Sequence, residues 1–104
     1  MDNKDHMIKR GMITMNFTRN ENQIALHNES GELLAEITFP YIDKDTVDKN
    51  HTFVDPSLRW QGIGGKLMTE LTDELGRREL KAVPTCSYAV KWFEKHPEYS
   101  HLLK

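Results

Sequence analysis

Thr52-Phe53-Val54-Asp55-Pro56-Ser57-Leu58-Arg59-Trp60-Gln61-Gly62-Ile63-Gly64-Gly65-Lys66-Leu67-Met68 carries an apolar, strand-like run through a turn and a glycine cluster into a helix. A turn of this kind can aim several backbone N–H groups at one point. The first turn of the helix adds unpaired donors and the positive end of its dipole, and together they suit a phosphate. Glycines there let the backbone approach an anion with no Cβ in the way. The stretch is not a Walker P-loop, because Lys66 is followed by Leu67 rather than Ser or Thr, and it lacks the glycine spacing of a dinucleotide fingerprint. Read locally, it serves equally well as a glycine-rich helix start needed for close packing.

Downstream, Ile63, Leu67, Leu71 and Leu75 recur on one helical face while Lys66, Glu70, Asp73, Glu74 and Arg77 fall mostly away from it. Gly76 stands near the end of this helix as its cap. Leu80 to Val83 reads as a short buried strand leading to Pro84, and strand, helix, strand implies a right-handed crossover. Ala89, Trp92 and Phe93 space a second helix over 87–95, stopped by Pro97; Tyr99, Leu102 and Leu103 pack back on the core.

Upstream, Thr46 to Val54 reads as one strand, with Val47, Lys49, His51 and Phe53 on one face and Asn50, Thr52 and Val54 on the other; a bulge would reverse the assignment. Asp43-Lys44-Asp45 makes a turn before it. Gln23 to His27 and Leu33 to Phe39 form a hairpin around Asn28-Glu29-Ser30-Gly31, closed by Pro40, and Met15 to Thr18 is a short extended piece. Residues 1–14 mix charges with methionines without a period, so a flexible N-terminal segment over 1–14 and a single domain over 15–104 are expected. The fold class is α+β: a mainly antiparallel sheet joined to a βαβ-like unit and a C-terminal helix.

The 104 residues are enough for one hydrophobic core. With 38% hydrophobic and 29% charged residues the chain is neither disordered throughout nor fibrous. Its 14 Lys and Arg are outnumbered by 16 Asp and Glu, which argues against a nucleic-acid partner. One cysteine makes no internal disulfide, and with scattered histidines it makes no structural zinc site, so no metal is expected and a reducing compartment fits. No apolar run is long enough for a signal peptide or membrane span. The reading is therefore cytoplasmic, with no membrane partner, as a monomer or a weak homodimer through an exposed edge strand.

Three residues have side chains that could do chemistry. Cys86 follows a strand at the entrance to a helix, where dipole and N–H groups favour thiolate; its plainer reading is a small buried apolar side chain. Tyr88 offers a phenol two positions on, though a tyrosine with an apolar ring and a wet hydroxyl is common without a catalytic role. His51 has the pKa range of a general base, and a lone strand histidine is also commonly structural. Trp92, Phe93 and Tyr99 sit at helical spacing and read as core.

Taken together, Arg59-Trp60-Gln61-Gly62-Ile63-Gly64 resembles the Arg/Gln-x-x-Gly-x-Gly/Ala signature of the GNAT superfamily, the acyl-CoA-dependent N-acetyltransferases. His51-Thr52-Phe53-Val54, Pro84-Thr85-Cys86-Ser87-Tyr88 and His96-Pro97-Glu98-Tyr99 are similar to a minimal, roughly hundred-residue GNAT-like group, over a match from about Gln23 to the C-terminus. The resemblance implies acetyl-CoA as cosubstrate and an amine as acceptor, either a small amine or a lysine or N-terminus of a peptide. It implies that backbone groups of Phe53 and Val54 pair with the pantetheine arm. Arg59, Trp60, Gln61, Gly62 and Gly64, with Gly65 and Lys66 at the helix start, would hold the pyrophosphate. Cys86, Tyr88 and His51 become the catalytic candidates, with transfer either direct or through a thioester on Cys86.

Three features depart from the family pattern. Trp60 stands where many members of the small group have glycine. Phe93 occupies the position where longer members often carry a tyrosine, so the usual phenolic acid is missing and Tyr88 is the nearest substitute. The segments that build an acceptor pocket in longer members are largely absent. A CoA-binding module with little turnover is therefore the rival reading.

Overall fold

A computed structural model describes residues 16–104, and the flexible segment expected over 1–14 lies outside them. In chain order the elements are β1 (Thr18–Asn20), β2 (Gln23–His27), β3 (Leu33–Thr38), β4 (Tyr41–Asp43), β5 (Thr46–Lys49), β6 (His51–Val54), α1 (Ile63–Arg78), β7 (Lys81–Pro84) and α2 (Ser87–Lys95). Single 3-10 segments at Pro56–Leu58 and Pro97–Leu102 precede α1 and follow α2.

The hairpin forms as its residues require. β2 and β3 pair antiparallel, and the Asn28 side chain closes the turn by accepting from the amides of Ser30 and Glu32, each at 2.9 Å. Gly31 takes φ 86°, a left-handed conformation that costs glycine nothing. The extended piece at the start is β1, a few residues beyond the expected position. Pro40 ends the hairpin, but the chain immediately forms the short β4, which was not expected from its three residues.

The single strand expected from Thr46 to Val54 is two strands in two sheets. β5 pairs antiparallel with β4 and parallel with β7, whereas β6 pairs antiparallel with β3. The sheets run β1-β2-β3-β6 and β4-β5-β7. The break falls at Asn50, where Thr38 Oγ1 donates to the Asn50 side chain at 2.7 Å. Face assignment across the break therefore fails: Lys49 does not share a face with His51. Within β6 it holds, since Glu36 lies opposite Phe53 and contacts the ring of His51, while Thr52 and Val54 lie opposite the buried Ile37 and Ala35.

α1 lies across the four-stranded sheet and connects it to β7, giving the parallel β5–β7 pairing of a βαβ-like unit. Its inward residues Ile63, Leu67, Met68, Leu71 and Leu75 meet Ile24, Leu26, Ala35, Ile37, Phe39 and Val47 in one core. Ala89, Trp92 and Phe93 of α2 close that core, with Leu102 buried and Tyr99 and Leu103 packed against it as expected. Trp92 stacks on His96 at 4.1 Å and on Tyr99 at 5.4 Å between ring centroids.

Two expectations about α1 are corrected. Glu74 points inward, where Arg19, Arg77 and Arg78 surround it. The left-handed residue that ends the helix is Glu79, at φ 58°, not Gly76. The Glu79 amide donates to Gly76 O at 3.3 Å and the Leu80 amide to Leu75 O at 2.9 Å, the two bonds of a Schellman motif. Among the described residues no helix is long and apolar enough to cross a membrane.

Candidate functional site

The split of the sheet at Asn50 opens a gap between β6 and β7, and the chain leaving β6 turns along it. Asp55 starts this turn by accepting from the Ser57 amide at 2.9 Å, and the Ser57 hydroxyl, followed by that amide, holds its carboxyl below the usual range. Leu58 is buried as the anchor of the turn, and Trp60 and Gly62 then take φ 71° and φ 72°. Gly62 caps α1 with no side-chain hydrogen bond, and no acidic residue stands in the first helical turn. The opening N–H groups of the helix are thus left without a protein side-chain cap, in a local field that favours an anion.

A cleft of about 430 Å³ opens onto this helix start. Thr52 and Val54 form one wall, Arg59 and Trp60 the lip, and Gly62, Gly64 and Gly65 the floor, with Tyr88 facing them. Of the residues singled out for cofactor binding, Phe53, Gln61 and Lys66 do not line it. The backbone explains Phe53. The Asp55 amide donates to Leu34 O at 2.7 Å, and the alternation of an antiparallel pair then turns the polar groups of Phe53 toward β3. Those of Thr52 and Val54 face the edge that β6 does not share with β3.

Gly64 is where a side chain cannot enter without displacing a neighbour. A Cβ built there would sit 2.7 Å from the Tyr88 hydroxyl oxygen and 3.0 Å from the ring carbon that bears it. Tyr88 therefore lies directly over the first turn of α1. Burial, followed by the charge of Cys86, pushes its hydroxyl above the ordinary phenol range.

Cys86 does not line the cleft, but the hydroxyl of Thr52 on the cleft wall lies 3.6 Å from its Sγ. Cys86 is half-buried at the N-cap of α2 and is held there because its own amide and that of Thr85 donate to Lys49 O, at 3.3 and 3.0 Å. The side chain of Lys49 is wholly buried. Its Nζ donates to His51 O at 2.6 Å, to Thr52 Oγ1 at 2.8 Å and toward Cys86 Sγ at 3.5 Å. Burial raises the Cys86 pKa, but the Thr52 hydroxyl, the Ala89 amide and the Lys49 ammonium outweigh it, and the thiol ends below its ordinary value. Burial lowers the pKa of Lys49, with Cys86 opposing that shift.

The structure thus brings Cys86, Thr52 and Tyr88 together across the gap and leaves the ring of His51 on the opposite face of β6. His51 Nε2 lies 3.1 Å from Glu36 Oε2 on the outer face of β6, where Phe53 also points. Only the carbonyl of His51 reaches the Cys86 group, through Lys49. Phe93 is buried in the core and has no hydroxyl to offer. Lys49 and Thr52 escaped the reading of the sequence. A lysine inside a regular strand, standing between Asp48 and Asn50, reads as solvent-facing.

Comparison with known proteins agrees with this architecture. The arrangement is the GNAT fold: a GCN5-like protein from Staphylococcus aureus, solved by NMR, superposes with a TM-score of 0.74 and 28% identity over 89% of this chain and 91% of that one. Residues 23–102 match the family described as GCN5-related N-acetyl-transferase, and the chain belongs to that family. Protein NATD1 of Xenopus tropicalis is 29% identical over 93 residues, 89% of this chain and 85% of the relative. A GNAT-family acetyltransferase of Elizabethkingia anophelis with acetyl-CoA bound shares the fold at a TM-score of 0.55 and 18% identity. That match covers 74% of this chain and 51% of the larger protein.

Proposed function

We propose that the protein binds acetyl-CoA in the cleft between β6 and α1 and transfers the acetyl group to an amine, with Cys86 as the acyl-carrying nucleophile. The observation that carries this reading is the continuity of the site. An uncapped helix start with a left-handed glycine lies in the cleft, and Thr52 of the cleft wall reaches a thiol with a lowered pKa that stands just outside the lining. The helix start fits a pyrophosphate in charge and in the open space at Gly62, where a Cβ would meet nothing within 4 Å. The free backbone edge at Thr52 and Val54 suits an amide-bearing arm. An acetyl thioester supplies an activated acyl carbon.

Cys86 Sγ would form a bond to that carbon as the carbon–sulfur bond to the carrier breaks, and the carrier leaves as thiolate. The acceptor amine then adds to the acyl carbon, the bond to Sγ breaks, and the nitrogen gives up one proton as the amide forms. Lys49 and Thr52 are placed to stabilise the sulfur whenever it is anionic. Direct attack of the amine on the carrier thioester needs only positioning and a donor for the departing charge. The two routes differ in whether Cys86 is acylated.

Calorimetry and a melting shift with CoA test binding, because a ligand that binds only the folded state raises stability. Intact mass after mixing with acetyl-CoA tests the route: one added acetyl group is expected on the native protein and none on Cys86→Ala. Wild-type transfer by Cys86→Ala with no adduct on the native chain would leave direct transfer. The buried Phe93, which lacks a phenol, favours a second reading as a CoA-binding module. Thiol release followed over polyamines, lysine peptides and protein N-termini separates the two, since the module predicts a flat response to every amine. No affinity for CoA at all would reduce the glycine turn to a packing feature. The expected location is the cytoplasm, and residues 15–104 are proposed to fold as one domain.

A further inference from the structure

We propose that Lys49 is a positioning residue for Cys86: its buried ammonium is the counter-ion that holds the sulfur as a thiolate. The proposal deepens the reading of Cys86 as the nucleophile and rests on it for its purpose, but its geometry stands apart from any cofactor.

Lys49 is 0% exposed, on the last residue of β5, where the chain breaks to enter the other sheet. An ammonium has three donors and no acceptor capacity. Here the donors meet a carbonyl oxygen, a hydroxyl oxygen and a sulfur. Among the described residues no carboxylate lies within salt-bridge distance of Nζ, although five arginine or lysine contacts with carboxylates do form elsewhere. Burying a cation without a counter-charge is costly, so such a group either gives up its proton or holds an anion beside it. Of the three atoms that Nζ contacts, only Cys86 Sγ can become an anion near neutral pH.

The hydrogen-bond directions favour the second arrangement. Because Lys49 donates to Thr52 Oγ1, the lone-pair side of that hydroxyl is engaged and its hydrogen is free to point at Cys86 Sγ. The Ala89 amide of α2 also favours the anion, although Cys86 makes no side-chain capping hydrogen bond to the helix. Lys49 and Thr52 thus present donors to one atom, which is what a thiolate needs and a thiol cannot use fully.

The other charged groups around the pair are few. Asp48, next along β5, adds a favourable charge to Lys49 while its carboxylate accepts from Thr85 Oγ1. From α2, Tyr88 is held neutral by burial and by the charge of Cys86. From β6, the ring of His51 is turned to Glu36 on the outer face. The first turn of α1 brings no acidic residue. The proton of the Cys86 thiol therefore resides on the Lys49 amine, and the two groups titrate as a coupled pair.

Cys86 is the only cysteine in the chain, so its ionisation can be read without ambiguity. The test is the rate of alkylation of Cys86 by iodoacetamide, with thiolate ultraviolet absorbance, from about pH 5 to about pH 10. It uses the full chain without CoA, so a failure of cofactor binding would not disturb it. The native protein should titrate below its denatured form. Lys49→Met should raise the midpoint by about one pH unit and slow alkylation at neutral pH by about tenfold. Lys49→Arg, which keeps the charge, should restore part of the rate. Thr52→Val should raise the midpoint by less than Lys49→Met and keeps the test alive if the methionine variant fails to fold. A native midpoint at or above the denatured one would overturn the proposal, as would unchanged midpoints in the Lys49→Met and Thr52→Val variants.

Discussion

At its C-terminal end, α1 is closed by the chain's own chemistry: a Schellman motif satisfies its last carbonyls, Arg77 and Arg78 oppose the negative end of its dipole, and Glu74 is held by three arginines. The N-terminal end has none of this. Gly62 brings no side-chain cap, the first turn has no carboxylate, and the neighbouring buried charge, Lys49, lacks a carboxylate partner among the described residues. One end of the helix has more counter-charge than it needs and the other too little. The difference teaches where to look for function, because a helix start left short of anions is disposed to receive one, and the buried Lys49 nearby has only the Cys86 sulfur to serve as its anion.

Removing the counter-charge at the closed end should have the largest effect on stability. Glu74→Gln leaves Arg19, Arg77 and Arg78 crowded without their anion and is expected to cost about 2 kcal/mol, discounted because the arginines are partly exposed. Urea unfolding will measure it. The sign with pH follows from the carboxyl: burial raises its pKa, but the arginines outweigh that and leave it below the ordinary value. The contribution is thus complete above the unfolded glutamate range and is lost as pH falls through the lower folded value. The gap between native and Glu74→Gln proteins should therefore close below about pH 4.

At the open end the expected effect is on binding. Gly64→Ala should leave the melting temperature within a few degrees, because the Tyr88 ring that it meets is 40% exposed and can move. The displaced ring should weaken CoA binding by about tenfold in calorimetry, about 1.4 kcal/mol. If the obstruction is steric, adding Tyr88→Ala will recover much of that loss.

The smallest effects compare the ends directly. Glu79 and Trp60 both hold a left-handed backbone without being glycine, at φ 58° and φ 71°. Each replacement by glycine relieves that strain, offset in part by the greater freedom of glycine in the unfolded chain, for a gain of up to about 1 kcal/mol. Glu79→Gly should change stability alone. Trp60→Gly should also change the dissociation constant for CoA, since the 94% exposed Trp60 stands at the lip of the cleft. Equal CoA affinities for the two variants would remove the functional distinction between the ends.

What the sequence by itself determined is local. The hairpin follows from turn residues between two apolar runs, α1 and α2 from their helical spacing, and the glycine turn from residue types that admit left-handed backbone. Cys86 at a helix entrance was legible for the same reason, since N-caps and strand ends are set by near neighbours. What only the tertiary structure decided is which strand joins which sheet. Thr46 to Val54 has no glycine or proline to divide it, and its residues alone do not tell that its first half pairs with β7 and its second with β3. That division turns Lys49 inward onto Cys86 and sends the ring of His51 outward to Glu36. Glu74 was misplaced for the same reason: the spacing of α1 put it outward, while Arg19, distant in the chain, stabilises it inside. Side-chain periodicity reports a preference for water, and a buried charge overrides that preference only when the fold supplies its partner from far along the sequence.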